Sequence, residues 1–322
     1  MRRTLSVLVI AAAFVTGAQA QTYPSRPVTI IVPFPAGGST GAMARILLEP
    51  LQAALGQTVI VENVGGAGGS IGAGRVARAA PDGYTAVFSH LQTHVLNGAV
   101  LNLTYDVVAD FEPVALIADT PQTIVARKAF PADNLKDTVA WLRANPGKGT
   151  VGAVGVGGPS DITVFQFQKL TGTRLQLVPY RGGAPLLQDL VSGQIDFNFG
   201  QASTYLGAVR SGQLKALAVQ RKQRWPIAPE IPTVDEGGVP GLYGSYWHGM
   251  WLPKGTPKDI VVRLNAAVVA ALGDPAVQKR FSDFGQETWP RAQQTPEALA
   301  AHQKAEIERW WPIVKAAGIK PQ

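Results

Sequence analysis

The sequence predicts an α/β protein built as two lobes, each with a parallel-rich sheet flanked by helices. Three observations predict it. Apolar β-branched runs alternate with helical patterns in two successive series; strand-like runs end in glycine-rich turns that open helices; and 322 residues exceed what one hydrophobic core usually serves.

Residues 28–32, 59–62 and 85–89 read as buried strands, with helical patterns over 42–55 and 70–80 between them. This β-α-β-α-β order sets the strands parallel, with helices on both faces. A second series follows: a helix around Trp141, strand 150–154, helix 162–170, strand 175–179, helix 186–191 and strand 195–199. The C-terminal stretch is helical. Thr256-Pro257, Asp274-Pro275 and Thr295-Pro296 each place a capping residue before a proline suited to the first turn. Gly273, Gly285 and Gly318 are the corresponding stop signals. These helices have no sheet of their own, so they are expected to return and cover the first lobe. The chain then crosses between lobes near 118–125 and 243–251. Residues 21–120 plus 245–322 form the first lobe, and 121–244 the second.

With 46% hydrophobic and 16% charged residues and no cysteine, the composition is that of a soluble globular protein without disulfides. The first twenty residues differ. Arg2 and Arg3 precede an apolar run over 5–15, and Ala18-Gln19-Ala20 is a small-x-small cleavage site. Together they read as a secretory signal removed after Ala20, which places the mature protein in the periplasm. The apolar run is too short to span a bilayer as a helix. Removing Arg2 and Arg3 lowers the formal charge from +7 to +5 (7 − 2 = 5), a mild basicity that attracts anions but specifies nothing. Nucleic acid is not an expected partner, because Arg221, Lys222 and Arg224 form the only local basic cluster.

The first glycine loop carries the chemistry. Strand 28–32 runs into Pro33-Phe34-Pro35-Ala36-Gly37-Gly38-Ser39-Thr40-Gly41, and a helix follows. Open parallel sheets bind ligands at the carboxyl ends of their strands. Free N–H groups and the dipole at a helix N-terminus favour an anion. Gly37 and Gly38 let backbone amides approach a carboxylate, and Ser39 and Thr40 can cap the helix or donate hydroxyls. An ordinary turn with a serine cap reads the same way. The second lobe repeats the device at Val154-Gly155-Val156-Gly157-Gly158-Pro159-Ser160-Asp161, and strand 175–179 ends at Tyr180-Arg181-Gly182-Gly183-Ala184. Arg181 suits a forked contact with a carboxylate, or else an exposed surface position.

Other patterns lead elsewhere. Gly37-Gly38-Ser39-Thr40-Gly41 and Gly68-Gly69-Ser70-Ile71-Gly72 match G-x-S-x-G, so a serine hydrolase with Ser39 as nucleophile is the alternative function. Only one strand precedes Ser39, and no His-Gly-Gly-Gly segment exists to supply an oxyanion hole. Gly72-Ala73-Gly74-Arg75-Val76-Ala77 lies inside a helical stretch, so it is no dinucleotide loop. His90 and His94 have i, i+4 spacing without a third ligand, and no metal or cofactor is expected.

A further set of motifs runs in order along the mature chain. They are Tyr23-Pro24-x-Arg26-Pro27, Val32-Pro33-Phe34-Pro35-Ala36-Gly37-Gly38, and Val61-Glu62-Asn63 with Gly66-Ala67-Gly68-Gly69. Pro81-Asp82-Gly83-Tyr84-Thr85, Thr93-His94-x-x-Asn97 and Tyr105-Asp106 with Asp110-Phe111 follow. Pro179-Tyr180-Arg181-Gly182 with Ala184-Pro185, then Trp247-x-Gly249 and Pro253-x-Gly255-Thr256-Pro257, complete the set. On these residues the sequence resembles the Bug family, the solute receptors of tripartite tricarboxylate transporters.

The resemblance implies a two-lobed, type II-like periplasmic-binding fold that closes on its ligand like a Venus flytrap. It implies a binding protein and not an enzyme. A carboxylate would rest on backbone amides of Ala36, Gly37, Gly38, Ser39 and Thr40, partly through ordered water. Ser89 and His90 at the end of a first-lobe strand, Gly158 and Ser160, and Tyr180, Arg181, Gly182 and Ala184 would complete the site. The receptor, expected to be a monomer, would deliver its ligand to integral-membrane large and small transporter subunits. Ligands known for the family include citrate, C4 dicarboxylates, acidic amino acids and aromatic acids such as terephthalate. The first loop of the family usually reads Gly-Gly-x-Thr-Asp, whereas Gly41 stands here in place of the acid. Loss of a carboxylate able to meet an amine predicts a dicarboxylate without an amino group, aromatic acids included. Phe34, His90, Tyr180 and Trp247 are the expected flat walls.

Overall fold

The computed structural model describes residues 23–154 and 157–321. The signal segment with its cleavage point, and Gly155 and Val156 of the second glycine loop, lie outside the described residues.

The first series is β1 (Val28–Val32), α1 (Ser39–Leu55), β2 (Val59–Asn63), α2 (Ser70–Ala77) and β3 (Thr85–His90). β1 lies between β2 and β3, parallel to both, with Ile30 opposite Val61 and Ala86. Its unbroken VTIIV run follows from burial on both faces. Val28, Ile30 and Val32 enter one core beneath α1, while Ile31 enters another with Val87, Trp247, Trp251 and Trp310. A π-helical turn (Gln92–Leu96) and the short α3 (Asn97–Val100) follow β3. π-turns of this kind concentrate at functional sites.

β4 (Phe111–Arg127) then runs through both lobes. The second series continues with α4 (Leu135–Ala144), β5 (Gly149–Val154), α5 (Pro159–Thr171), β6 (Leu175–Tyr180), α6 (Gly183–Ser192), β7 (Phe197–Gln201), α7 (Ala202–Arg210) and β8 (Leu214–Val219). β5 pairs parallel with β6 and β7. The return strand β9 (Ser245–Pro253) leads to α8 (Lys258–Gly273), α9 (Pro275–Asp283), β10 (Glu287–Thr288) and α10 (Pro296–Ala316).

The strand order is β2-β1-β3-β9-β4-β7-β5-β6, with β8 and β10 also paired to β4. The two parallel series are therefore joined through antiparallel strands. β4 pairs with β9 as far as Pro121–Ser245, then with β7 from Gln122 and β8 from Thr123. At the crossing, Gln122 N–H donates to Gly244, Gly244 N–H to Gln220, and Gln220 N–H to Gln122, at 2.8 to 3.0 Å. A Cβ at position 244 would lie 2.8 Å from Gln122 Oε1, so that side chain would have to shift to admit one.

Several helices begin earlier than the apolar periodicity predicts: α1 at Ser39, α5 at Pro159 and α6 at Gly183. Their first turns are polar or glycine-rich, so a hydrophobic pattern does not register them. Asp274 and Thr295 cap α9 and α10 as expected. Thr256 does not cap α8. Its hydroxyl donates to the Pro253 carbonyl, and Pro257 is the cap residue. α8 packs on α1 and β4, and α10 packs on β4 and the π-turn.

Candidate functional site

The site grows from the strand ends. β1 leads through an exposed loop over Ala36, Gly37 and Gly38 into α1. Gly37 turns with φ 89°, in the left-handed region that favours glycine. Gly38 is the cap residue, and no side chain caps the helix. The first intrahelical bond is Ala42 N–H to the Gly38 carbonyl, so the amides before it are turned out of the helix. Ser39 and Thr40 do not cap; both hydroxyls serve the site instead. Ser39 Oγ donates to Gln201 Oε1 at 2.7 Å, joining the start of α1 to the end of β7. Thr40 Oγ1 lies 3.3 Å from His248 Nε2.

Around this bridge stands an aromatic floor. His90 stacks on Phe34 with ring centroids 4.5 Å apart and planes 3° from parallel. It meets Tyr246 edge-on at 5.5 Å and His248 at 5.3 Å. His90 Nδ1 accepts the Gln92 N–H at 3.2 Å, so the neutral ring carries its proton on Nε2. Burial pulls His90 down to about 3, and burial with the neighbouring His90 holds His248 well below the usual imidazole range. Both rings are therefore neutral at ordinary pH.

The second lobe supplies α5, which starts at Gly158 without a side-chain cap and with Pro159 in its first turn. Ser160 is buried beside Tyr246 and acts on its hydroxyl as a hydrogen-bond partner. Burial raises that hydroxyl to about 12, so it remains protonated. Asp161 accepts the Gly157 N–H through Oδ2 at 3.0 Å, while its buried Oδ1 has no partner among the described residues. Burial lifts this carboxyl to about 6, with the Gly157 bond opposing the shift.

The expected residues divide accordingly. Ser39, Thr40, His90 and Ser160 meet, and the loop of Ala36, Gly37 and Gly38 and the Gly158 turn adjoin them. Ser89 faces away: successive strand residues alternate, and its hydroxyl meets Thr93 Oγ1 at 2.5 Å. Tyr180 spends its hydroxyl within its own lobe, on Asp189 Oδ2 at 2.7 Å. Arg181 and Ala184 are exposed, Gly182 is partly so, and Arg181 makes no hydrogen bond or ion pair among the described residues.

Trp247 is no wall of the cleft. It is wholly buried in the first-lobe core, and its indole N–H donates to Glu306 at 3.2 Å. Strand alternation instead turns its neighbours Tyr246 and His248 toward His90. These two and Gln201 were missed from sequence; period-two alternation about an inward Trp247 was the available signal for the first pair. Position 41 also looks elsewhere. A Cβ on Gly41 would lie 3.1 Å from Arg45 Nη1 and 3.3 Å from Asn63 Nδ2, so a side chain there would meet these two. An acid at position 41 would thus have a cation, Arg45, beside it within the protein. His94 stacks on Trp251 at 3.7 Å, and no metal-binding cluster occurs among the described residues.

A mixed sheet in two lobes, crossed by two strands and lined at one edge by helix N-termini, is the architecture of periplasmic binding proteins. The family model for the tripartite tricarboxylate transporter family receptor matches residues 43–319. The chain belongs to that family, and is a periplasmic solute-binding receptor rather than an enzyme. Three solved structures are similar. The periplasmic binding protein BugD is 40% identical, with a TM-score of 0.85 over 93% of this chain and 100% of its own. MatC from Rhodopseudomonas palustris with bound malate is 38% identical, with a TM-score of 0.85 over 91% and 100%. The R. palustris protein Rpa4515 with adipate is 33% identical, with a TM-score of 0.87 over 93% and 100%.

Proposed function

We propose that this receptor captures a dicarboxylate between its lobes and delivers it, as a monomer, to integral-membrane large and small transporter subunits. The lobes are 21–120 plus 245–322 and 121–244, and the mature chain begins after Ala20. One observation carries the reading: the uncapped start of α1 is tied to the second lobe by the Ser39–Gln201 hydrogen bond. An anion seated there meets outward amides, the dipole of a 17-residue helix and neutral donors from both lobes. Related proteins hold malate and adipate, both dicarboxylates. The aromatic surface consists of Phe34, His90 and Tyr246, whose rings pack on one another. That favours a flexible aliphatic diacid over a flat ring such as terephthalate.

Calorimetry on malate, succinate, adipate, terephthalate, glutamate and hexanoate tests this. An aliphatic diacid should bind tightest. No binding to any of them, or hexanoate as the tightest ligand, overturns the proposal.

A further inference from the structure

We propose that Gln201 is the residue by which the second lobe recognises the ligand's carboxylate, as a neutral donor oriented by Ser39. This rests on the carboxylate-receptor reading above. Gln201 is the cap residue of α7, yet its side chain does not cap that helix. It extends instead to the first lobe, where Ser39 Oγ donates to Oε1 at 2.7 Å. In that arrangement the amide oxygen is engaged by the Ser39 hydroxyl, and Nε2 holds two N–H groups.

Nε2 is buried and has no acceptor among the described residues, in a residue only 8% exposed. Its cross-strand neighbour Gln122 turns its Oε1 to the Thr163 hydroxyl, at 2.6 Å, and makes no bond to Nε2. Native proteins rarely leave a buried donor unmatched without a functional reason. The group that answers it is an acceptor placed at the start of α1, where the dipole favours negative charge. A carboxylate has that chemistry, and an ammonium does not. Because the amide is oriented only when Ser39 and Gln201 meet, the second-lobe donor is set only in the closed form. Capture and closure are thereby one event.

The test is Gln201→Glu, nearly isosteric and still able to accept from Ser39, measured by calorimetry against the tightest aliphatic diacid. At pH 7.5 affinity should fall on the order of 100-fold, since a donor becomes a like charge. As pH falls from 7.5 to 5, the ratio of variant to wild-type affinity should recover, because a protonated carboxyl donates again. Gln201→Met should lose about tenfold with no such recovery, being a donor deletion without charge. A Gln201→Glu affinity within about twofold of wild type, or a loss that ignores pH, overturns the inference and leaves the receptor reading standing. Wild-type protein that binds no diacid overturns both.

Discussion

Ser39 and Gln201 are 162 residues apart in sequence, and their side chains meet at 2.7 Å across the two lobes. Both lie at helix starts, so the contact brings the N-termini of α1 and α7 together. Other bonds tie the lobes through the crossing, including Gln286 Nε2 to Ser203 Oγ at 3.0 Å. The Ser39 contact alone among these sits at the first glycine loop. Ser39→Ala should weaken diacid binding by about 0.5–1.5 kcal/mol, the scale of one neutral hydrogen bond. Small-angle scattering should show the diacid-bound variant less fully closed than diacid-bound wild type. An unchanged scattering profile together with unchanged affinity refutes this role.

Arg181 suggested itself from sequence as a carboxylate fork. In the structure it is exposed at the end of β6 and makes no hydrogen bond or ion pair among the described residues. Arg181→Ala should therefore change diacid affinity by no more than about twofold, as for ordinary surface substitutions. A tenfold loss by calorimetry is the contrary result, and would place the side chain on the ligand.

Gly41→Asp should not discriminate between diacids and amino acids. The new side chain would face Arg45 and Asn63, and it would occupy the first turn of α1, where an acid suits the dipole. Thermal unfolding should rise slightly, by the equivalent of about 0.3–1 kcal/mol. The ratio of succinate to aspartate affinity should stay the same. A selective loss of succinate would restore position 41 as a reader of ligand charge.

The fold was legible because its signals are local. VTIIV announces a strand buried on both faces, and Asp274-Pro275 announces a capped helix start. The first glycine loop was equally legible, since strand, glycines and helix are contiguous. What stayed hidden depends on side-chain direction. Ser89 and His90 are adjacent in one strand, yet one faces the core and the other the cleft. Trp247 drew attention by size, but alternation gives the cleft to Tyr246 and His248. Gln201 carries no motif at all, and only the pairing of β7 with β4 delivers it to Ser39.

Gly244 marks where the return strand passes β4. A Cβ would lie 2.8 Å from Gln122 Oε1 and 3.2 Å from Gln220 Oε1, inside a ring of three backbone hydrogen bonds. Gly244→Ala should destabilise the protein by about 1–3 kcal/mol, the usual scale of overpacking a tight site. Urea unfolding measures it. A midpoint equal to wild type means that the crossing yields more easily than its geometry suggests.

Acid should destabilise the receptor, because its buried histidines are held neutral. His90 and His94 are each lowered to about 3, and His248 lies well below its ordinary value, with burial the leading cause. A histidine of depressed folded pKa keeps its contribution above the unfolded value of about 6.5 and loses it as pH falls below that. In that range the unfolded chain takes up three protons that these folded rings refuse. Two buried carboxyls act in the opposite sense. Asp119 and Asp161 are raised to about 6, so the folded state holds their protons between about pH 4 and 6 while the unfolded state releases them. His302 is lowered as well, burial being the leading cause, so four histidines stand against two carboxyls and the unfolded chain binds the more protons as pH falls below about 6. Urea titrations at pH 7.5, 6.5, 5.5 and 4.5 should therefore show little change in the first step and a steady decline below 6. His94→Gln should flatten that decline, since His94 stacks on Trp251 and is none of the residues that meet at the Ser39 bridge. Stability that rises between pH 6 and 4.5 would mean the carboxyls dominate, and that the imidazoles are less secluded than their burial indicates.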